Sequence, residues 1–253
     1  MDMELEGKRV VITGGTKGIG REIALTFARE KANVAVCARD AVAVAAFIEE
    51  LSALGVQATG RAVDVSNGAE LRAWVREVAE DWFGLDIVVA NVSALAIGQD
   101  ESSWRREFET DMLGTVNLVE AAIPYLEKSG AGSIVAISSV SGREIDFAAG
   151  PYGVFKAALV HYMSGLAYQL APKGIRANTV SPGNVYFEGG VWEIIKNSNP
   201  ELYATALALN PTGRMARPNE IAKAVVFVAS PAASFVSGTN LVVDGALTRG
   251  VQL

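Results

Sequence analysis

The 253-residue chain has one cysteine, Cys37, and one histidine, His161. A lone cysteine excludes an intrachain disulfide and any metal site built from several thiolates. Within the apolar run Val34-Ala35-Val36-Cys37-Ala38 it reads as a buried, inert thiol. His161 has no histidine partner and reads as a packed or interface residue rather than a catalyst, and Asp86, Asp100 and Glu101 form no ligand constellation, so no metal is expected. No apolar run is long enough to span a bilayer, and the opening residues, Met1 to Gly7, lack the basic and apolar regions of a signal peptide. The expectation is a cytoplasmic protein without a membrane partner. Basic charge is also scarce: 22 Lys and Arg stand against 28 Asp and Glu, a net charge of −6, with the cations scattered. This disfavours nucleic acid and anionic membrane surfaces as partners. Linkers, internal repeats and low-complexity tracts are missing, so residues 1–253 are expected to form a single domain with a substantial core.

What the chain does have is rhythm. Short runs rich in Val, Ile and Ala alternate with longer segments of helical period, which argues for βα units and a parallel sheet buried on both faces. Strands are predicted near 8–13, 33–38, 56–62, 85–91, 132–138, 174–180 and 239–243, and helices near 18–30, 41–54, 67–82, 102–127, 151–171 and 217–229. The fold class is α/β: a doubly wound, seven-stranded parallel sheet with helices on both faces and ligands at the carboxyl ends of the strands. Residues 184–216 break the rhythm with Tyr186, Phe187, Trp192 and Tyr203, as a lid or binding loop does.

The first predicted strand runs into Thr13-Gly14-Gly15-Thr16-Lys17-Gly18-Ile19-Gly20 and then into a helix. Glycines allow a tight turn and close backbone approach, and a helix N-terminus offers N–H groups to a pyrophosphate. Gly14, Thr16, Lys17, Gly18, Ile19 and Gly20 are therefore cofactor-binding candidates. At the end of the second strand, where NAD recognition calls for an acid, the chain reads Ala38-Arg39-Asp40. Arg39 and Lys17 supply two cations suited to a 2′-phosphate, favouring NADP(H) over NAD(H). Asp40 complicates this, since it can pair with Arg39 or read a ribose hydroxyl. Asp64 and Val65, ending the third strand, suit an adenine amino group and ring nitrogen; as a helix cap, Ser66 or Asn67 fits better than Asp64.

Tyr152 and Lys156 stand four apart, on one helix face, with Ser139 thirteen residues before Tyr152 at the end of an apolar run. An ammonium beside a phenol favours its ionised form and lowers its pKa, so the phenol can exchange a proton with an alcohol or ketone. Ser139 can hold the same substrate oxygen. Ser138 is the adjacent alternative, but strand alternation turns it to the opposite face.

These motifs, in their order and spacing, resemble the short-chain dehydrogenase/reductase family across essentially the whole chain: Thr13 to Gly20, Asp64, Asn91, Ser139, Tyr152 with Lys156, Pro182-Gly183, and Gly213-Arg214 through Asp244-Gly245. The likeness extends to 3-oxoacyl reductase-like and hydroxysteroid dehydrogenase-like members. The resemblance implies a Rossmann-like subunit, usually tetrameric although a dimer is open, that transfers hydride between a nicotinamide and a carbonyl or carbinol carbon. It implies Tyr152 as general acid and base, Lys156 lowering its pKa and holding the nicotinamide ribose, Ser139 on the substrate oxygen, and Asn91, Pro182, Gly183 and Val185 along the cofactor.

Three departures stand out. Asp111 occupies the place of the family's fourth catalytic residue, an Asn, and is assigned that role here; Asn117 is out of register. Asn91-Val92-Ser93-Ala94 lacks the family's glycine at its fourth position, and Phe187 stands where many relatives carry a threonine, leaving backbone groups at Val185 to hold the carboxamide. Ser139, Phe147, Tyr186, Phe187 and Trp192 are the substrate-binding candidates, in an apolar pocket suited to a hydrophobic ketone or secondary alcohol. No Lys or Arg cluster marks a carrier-protein dock, with Arg105, Arg106 and Arg143 the nearest candidates. The reading is an NADP(H)-dependent ketoreductase or dehydrogenase. Its rivals are an NAD(H)-dependent alcohol or hydroxysteroid dehydrogenase and a weakly catalytic nucleotide-binding sensor or scaffold. The apolar run Val236 to Leu247 and the tail through Leu253 are expected to serve the last strand and a subunit contact.

Overall fold

The computed structural model describes residues 2–250. Seven strands, β1 (Arg9–Thr13), β2 (Asn33–Ala38), β3 (Ala58–Ala62), β4 (Ile87–Ala90), β5 (Ser133–Ile137), β6 (Arg176–Pro182) and β7 (Asn240–Val243), form one sheet in the order β3-β2-β1-β4-β5-β6-β7. Every pairing is parallel. The order reverses between β1 and β4, so the chain leaves those strands in opposite lateral directions and opens a crevice at their carboxyl ends. The tail residues Val251 to Leu253, assigned above to a subunit contact, lie outside the described residues.

Alternation along each strand feeds two cores. Val10 and Ile12 face α1 (Gly18–Arg29), α2 (Ala41–Ser52) and α9 (Pro218–Ala229), in a cluster with Ile23, Phe27, Phe47 and Val225. Val11, between them, joins the opposite cluster of Trp74, Leu118, Leu126 and Met163, supplied by α3 (Gly68–Asp81), α5 (Gly114–Ser129) and α6 (Pro151–Leu170). A strand buried on both faces must be apolar at every position, which is why these runs carry no polar alternation. Cys37 lies in the second of these cores, where burial pushes its thiol up to about 12.

The predicted helix 102–127 is not one helix. It consists of α4 (Glu101–Glu107), a π-helical turn at Phe108–Leu113, and α5. Periodicity cannot register one widened turn, because apolar spacing on either side stays helical; such turns occur frequently at functional sites. The excursion at 184–216 contains α7 (Val191–Ser198) and α8 (Pro200–Ala208). Among the described residues, no helix is long and apolar enough to cross a membrane.

Candidate active site

The turn between β1 and α1 is built for close approach. Gly14 and Gly18 adopt φ of +67° and +53°, in the left-handed region that favours glycine. A Cβ on Gly20 would lie 2.2 Å from the Gly14 carbonyl oxygen, and one on Gly15 would lie 2.6 Å from Val36 Cγ1. The Asn91 side-chain amide braces this turn by donating to the carbonyls of Thr13 (3.2 Å) and Gly14 (3.1 Å). Lys17, at the N-cap of α1, makes no side-chain capping bond, which leaves the first helical N–H groups to an external acceptor. Thr16 and Ile19 complete the turn, both partly exposed. A cradle that a single methyl would fill, under an uncapped helix, fits the pyrophosphate of a dinucleotide. Gly20→Ala is expected to force the turn open, destabilising the fold by more than about 1 kcal/mol and weakening dinucleotide binding. Thermal unfolding and fluorescence titration check both effects.

Arg39, after β2, and Lys17, in the glycine turn, are both exposed. Asp40, open between two uses in the sequence, caps α2 by accepting from the Val42 and Ala43 amides at 3.0 and 3.1 Å. Asp64 accepts from the amide and hydroxyl of Ser66, at 3.0 and 2.7 Å, and these bonds, with Arg39 nearby, hold its carboxyl below the ordinary range. Asn67 caps α3, leaving Asp64 outside that task, and Val65 is buried beside it.

At the other end, Pro151 starts α6 at the position where a missing N–H is harmless. One turn separates Tyr152 from Lys156, whose ammonium lies 5.5 Å from the Tyr152 ring centroid. Lys156 is 2% exposed, donates to the Ile137 carbonyl at 3.1 Å, and pairs with Asp111 Oδ2 at 2.9 Å. Ser138 donates to the Lys156 carbonyl at 2.7 Å and so faces the helix, while Ser139 lies on the side of Tyr152. Ser139 Oγ also accepts from the Ser141 amide at 3.1 Å and donates to Ser141 Oγ at 3.2 Å, which donates in turn to Asp146 at 2.6 Å. Ser141 and Asp146, which orient the Ser139 hydroxyl, carry no sequence signal beyond proximity.

The electrostatics correct one expectation. Burial raises the Tyr152 pKa by more than Lys156 and Ser139 lower it, and Asp111 and Glu107 add to the rise, so the phenol sits above its ordinary value in the ligand-free chain. Burial alone would depress Lys156, but Asp111 and, after it, Tyr152 and Glu107 outweigh burial and hold the ammonium above its usual range. The cation that should promote the phenolate is already matched by a carboxylate.

Asp111 lies in the π turn, 1% exposed, and its other oxygen accepts from the Ala94 amide at 2.7 Å. Glu107, at the end of α4, is fully buried in the same place and accepts from the Ala96 amide. Between these anchors Leu95 takes a φ of +49°, a strained conformation for a branched side chain. The two carboxyl groups thus shape the segment whose expected glycine is missing. Glu107 was legible only as an i, i+4 neighbour of Asp111. Asn117 faces away, accepting from Arg72 of α3.

Gly183 packs on Asp244, and Val185 pairs with Ala216 in a parallel bridge whose bonds use the amides of Tyr186 and Ala216. The N–H and C=O of Val185 itself therefore point away from the bridge. Trp192 is buried with Ala206 and Met215, against Tyr186 and Tyr203, and meets Phe147 edge-on at 5.6 Å. Phe187 stands apart from that cluster, its ring against Gly18 and Gly190. His161 is exposed on α6, not packed within the subunit. Asp86 is paired with Arg9 at 2.8 Å, and Asp100 caps α4.

The chain is similar along nearly its whole length to known proteins. A family model described as Enoyl-(Acyl carrier protein) reductase, of the adh_short_C2 type, matches residues 14–248. The chain is 41% identical to an isoepoxydon dehydrogenase of Penicillium expansum over 98% of its own length and 97% of the relative's. It is 33% identical to the 7alpha-hydroxysteroid dehydrogenase of Escherichia coli, over 99% and 97%. Among solved structures, a 7 alpha-hydroxysteroid dehydrogenase complexed with NADH and 7-oxo glycochenodeoxycholic acid superposes with a TM-score of 0.89 at 32% identity, covering 97% of this chain and 96% of that one. The L-sorbose reductase of Gluconobacter frateurii, complexed with NADPH and L-sorbose, gives 0.90 at 28% identity, covering 99% and 100%.

Proposed function

The chain belongs to the short-chain dehydrogenase/reductase family and is an oxidoreductase acting on CH–OH groups, and from that premise we propose that it is NADP(H)-dependent, interconverting a hydrophobic ketone and a secondary alcohol. The observation that carries this reading is the meeting of Ser139, Tyr152 and Lys156 at the carboxyl end of β5, with Lys156 anchored to Asp111 at 2.9 Å.

A nicotinamide dinucleotide held along the glycine turn and Lys156 would supply or take the hydride. Tyr152 donates its phenolic proton to the substrate oxygen in reduction and takes it back in oxidation. Ser139, turned by Ser141 and Asp146, hydrogen-bonds the same oxygen and holds the carbonyl near the phenol. Lys156, fixed between Ile137 and Asp111, favours the phenolate and holds the ribose of the cofactor. Asn91 keeps the glycine turn in shape, Asp64 and Val65 would hold the adenine, and Val185 would offer backbone groups to the carboxamide. The apolar surface of Phe147, with Trp192 and Tyr186 behind it, supports a substrate of moderate size under a lid formed by α7 and α8. Phe187, on the glycine turn, closes the cofactor end of that lid. The chain acts in the cytoplasm, as a homotetramer or a dimer, with exposed Tyr168 and Phe235 available to subunit contacts.

The preference for NADP(H) rests on Arg39 and Lys17, exposed where a 2′-phosphate would lie, and on Asp40 being occupied as a helix cap. A charge-assisted hydrogen bond contributes about 1.5–3 kcal/mol. Arg39→Ala is therefore expected to lower kcat/KM for NADPH by roughly 10- to 100-fold and to leave NADH almost unaffected. Equal losses with both cofactors, or a wild type that prefers NADH as the relative complexed with NADH suggests, would overturn the preference. A panel of ketones and alcohols assayed with both cofactors tests the activity itself. Cofactor binding with no turnover across the panel would favour a nucleotide sensor instead.

A further inference from the structure

Two buried carboxyl groups and one ammonium share the space behind Tyr152. Lys156 and Asp111 account for one pair of opposite charges, at 2.9 Å. Glu107 is the third member, 0% exposed, and nothing in the family resemblance assigns it a task. One of its oxygens accepts from the Ala96 amide; the other, Oε2, is buried with no N–H donor. The groups facing it are Asp111 on the π turn, Lys156 and Tyr152 on α6, and the Ala96 amide on the loop after β4. If both carboxyl groups were ionised, one buried negative charge would be left without a cation, an arrangement far costlier than a neutralised one. Two neighbouring carboxyl groups in such a site retain a proton between them.

We propose that Glu107 is a positioning residue that shares one proton with Asp111, so that the two present a single negative charge to Lys156 and thereby set the pH range over which Tyr152 exchanges its proton. The inference rests on the reading of Tyr152 as the acid and base of the reaction. In this arrangement the protonated Glu107 donates to Asp111, and Asp111 remains the counterion of the ammonium. The effect on Tyr152 is electrostatic: when Glu107 loses its proton, a second anion faces Lys156, and forming a phenolate becomes harder. Burial first, and the charge of Asp111 second, move the Glu107 carboxyl up to about 7, so the change falls within the ordinary working range of pH.

Glu107 binds its proton more tightly folded than unfolded, so the folded protein holds more protons between the ordinary carboxyl value and about 7. Stability therefore falls as pH rises through that window. Glu107→Gln keeps the side chain's shape without an ionisable proton and removes this dependence. The melting temperature of the variant relative to wild type is expected to rise steadily from pH 5 to pH 8. Infrared difference spectra should show a protonated-carboxyl band in the wild type at pH 6 that is bleached by pH 8 and missing from the variant.

With a working substrate, the alkaline-going limb of alcohol oxidation should move down by about one pH unit in Glu107→Gln. Glu107→Leu, which also cannot ionise, should show the same displacement and guards against a misfolded first variant. A pH-independent gap in melting temperature, with no bleachable band, would mean that Glu107 only braces Ala96, and would overturn the inference. So would coincident pH profiles of the variants and wild type. The thermal and infrared measurements need no substrate, so a wild type without turnover defeats the ketoreductase reading separately from proton sharing.

Discussion

Tyr152→Phe is expected to lower kcat by about 10²–10⁴-fold, the range lost when a positioned general acid or base is removed, while leaving the melting temperature and dinucleotide affinity nearly unchanged. The reason is local. The ring remains in place beneath Lys156, 5.5 Å from its ammonium, and only the hydroxyl is removed. Ser139 keeps its hydrogen bonds to Ser141 and is not orphaned by the change. Steady-state kinetics in both directions and a fluorescence titration with NADPH and NADH separate chemistry from binding. Retention of more than about a tenth of wild-type kcat, far outside the range for such a residue, would remove Tyr152 from the proton-transfer step.

The second large effect concerns stability. Lys156→Met should unfold the protein at a markedly lower temperature, because it leaves Asp111 buried without its cation. Removing one partner of a buried ion pair costs about 3–5 kcal/mol, which for a chain of this size corresponds to roughly 10 °C in Tm. The double variant Lys156→Met, Asp111→Leu should recover most of the lost stability, since replacing both charges leaves neither unpaired. It should recover none of the activity. Equal destabilisation in the single and double variants would show that the ion pair does not hold this region together.

Both predictions draw on residues that the sequence displays and on contacts that it does not. The central strands β1, β2, β4 and β5 were legible because a parallel sheet covered on both faces needs largely apolar runs, and helices between them need a 3.6-residue period. The glycine turn was legible because only glycine takes φ of +67° and +53° at Gly14 and Gly18 without strain. The uses of Asp40 and Asp64 were harder to read. Both are acids at strand ends, and only the backbone path shows that one caps α2 while the other folds onto Ser66. The π turn was hidden for a different reason: one widened turn leaves the apolar spacing on both sides intact.

The aromatic residues at 184–216 illustrate the same limit. Composition marks Tyr186, Phe187, Trp192 and Tyr203 as one group, yet Trp192 forms a small core with Ala206 and Met215 while Phe187 lies over Gly18. Apolar character specifies that a ring is covered, not by what. Which rings face a substrate depends on the angle at which α7 and α8 leave the bridge between Val185 and Ala216.

By itself the sequence determined the order of strands along the chain, the glycine turn and the placing of Tyr152 and Lys156 on one helix face, since each depends on local periodicity or on a conformation open to one residue type. Only the tertiary structure decided which charged groups lie behind that pair. Asp111 and Glu107 reach Lys156 across more than forty residues of chain, and whether Lys156 promotes a phenolate or is spent on a carboxylate depends on distances and burial. Charge at a site is a sum over everything packed around it, and no stretch of sequence contains that sum.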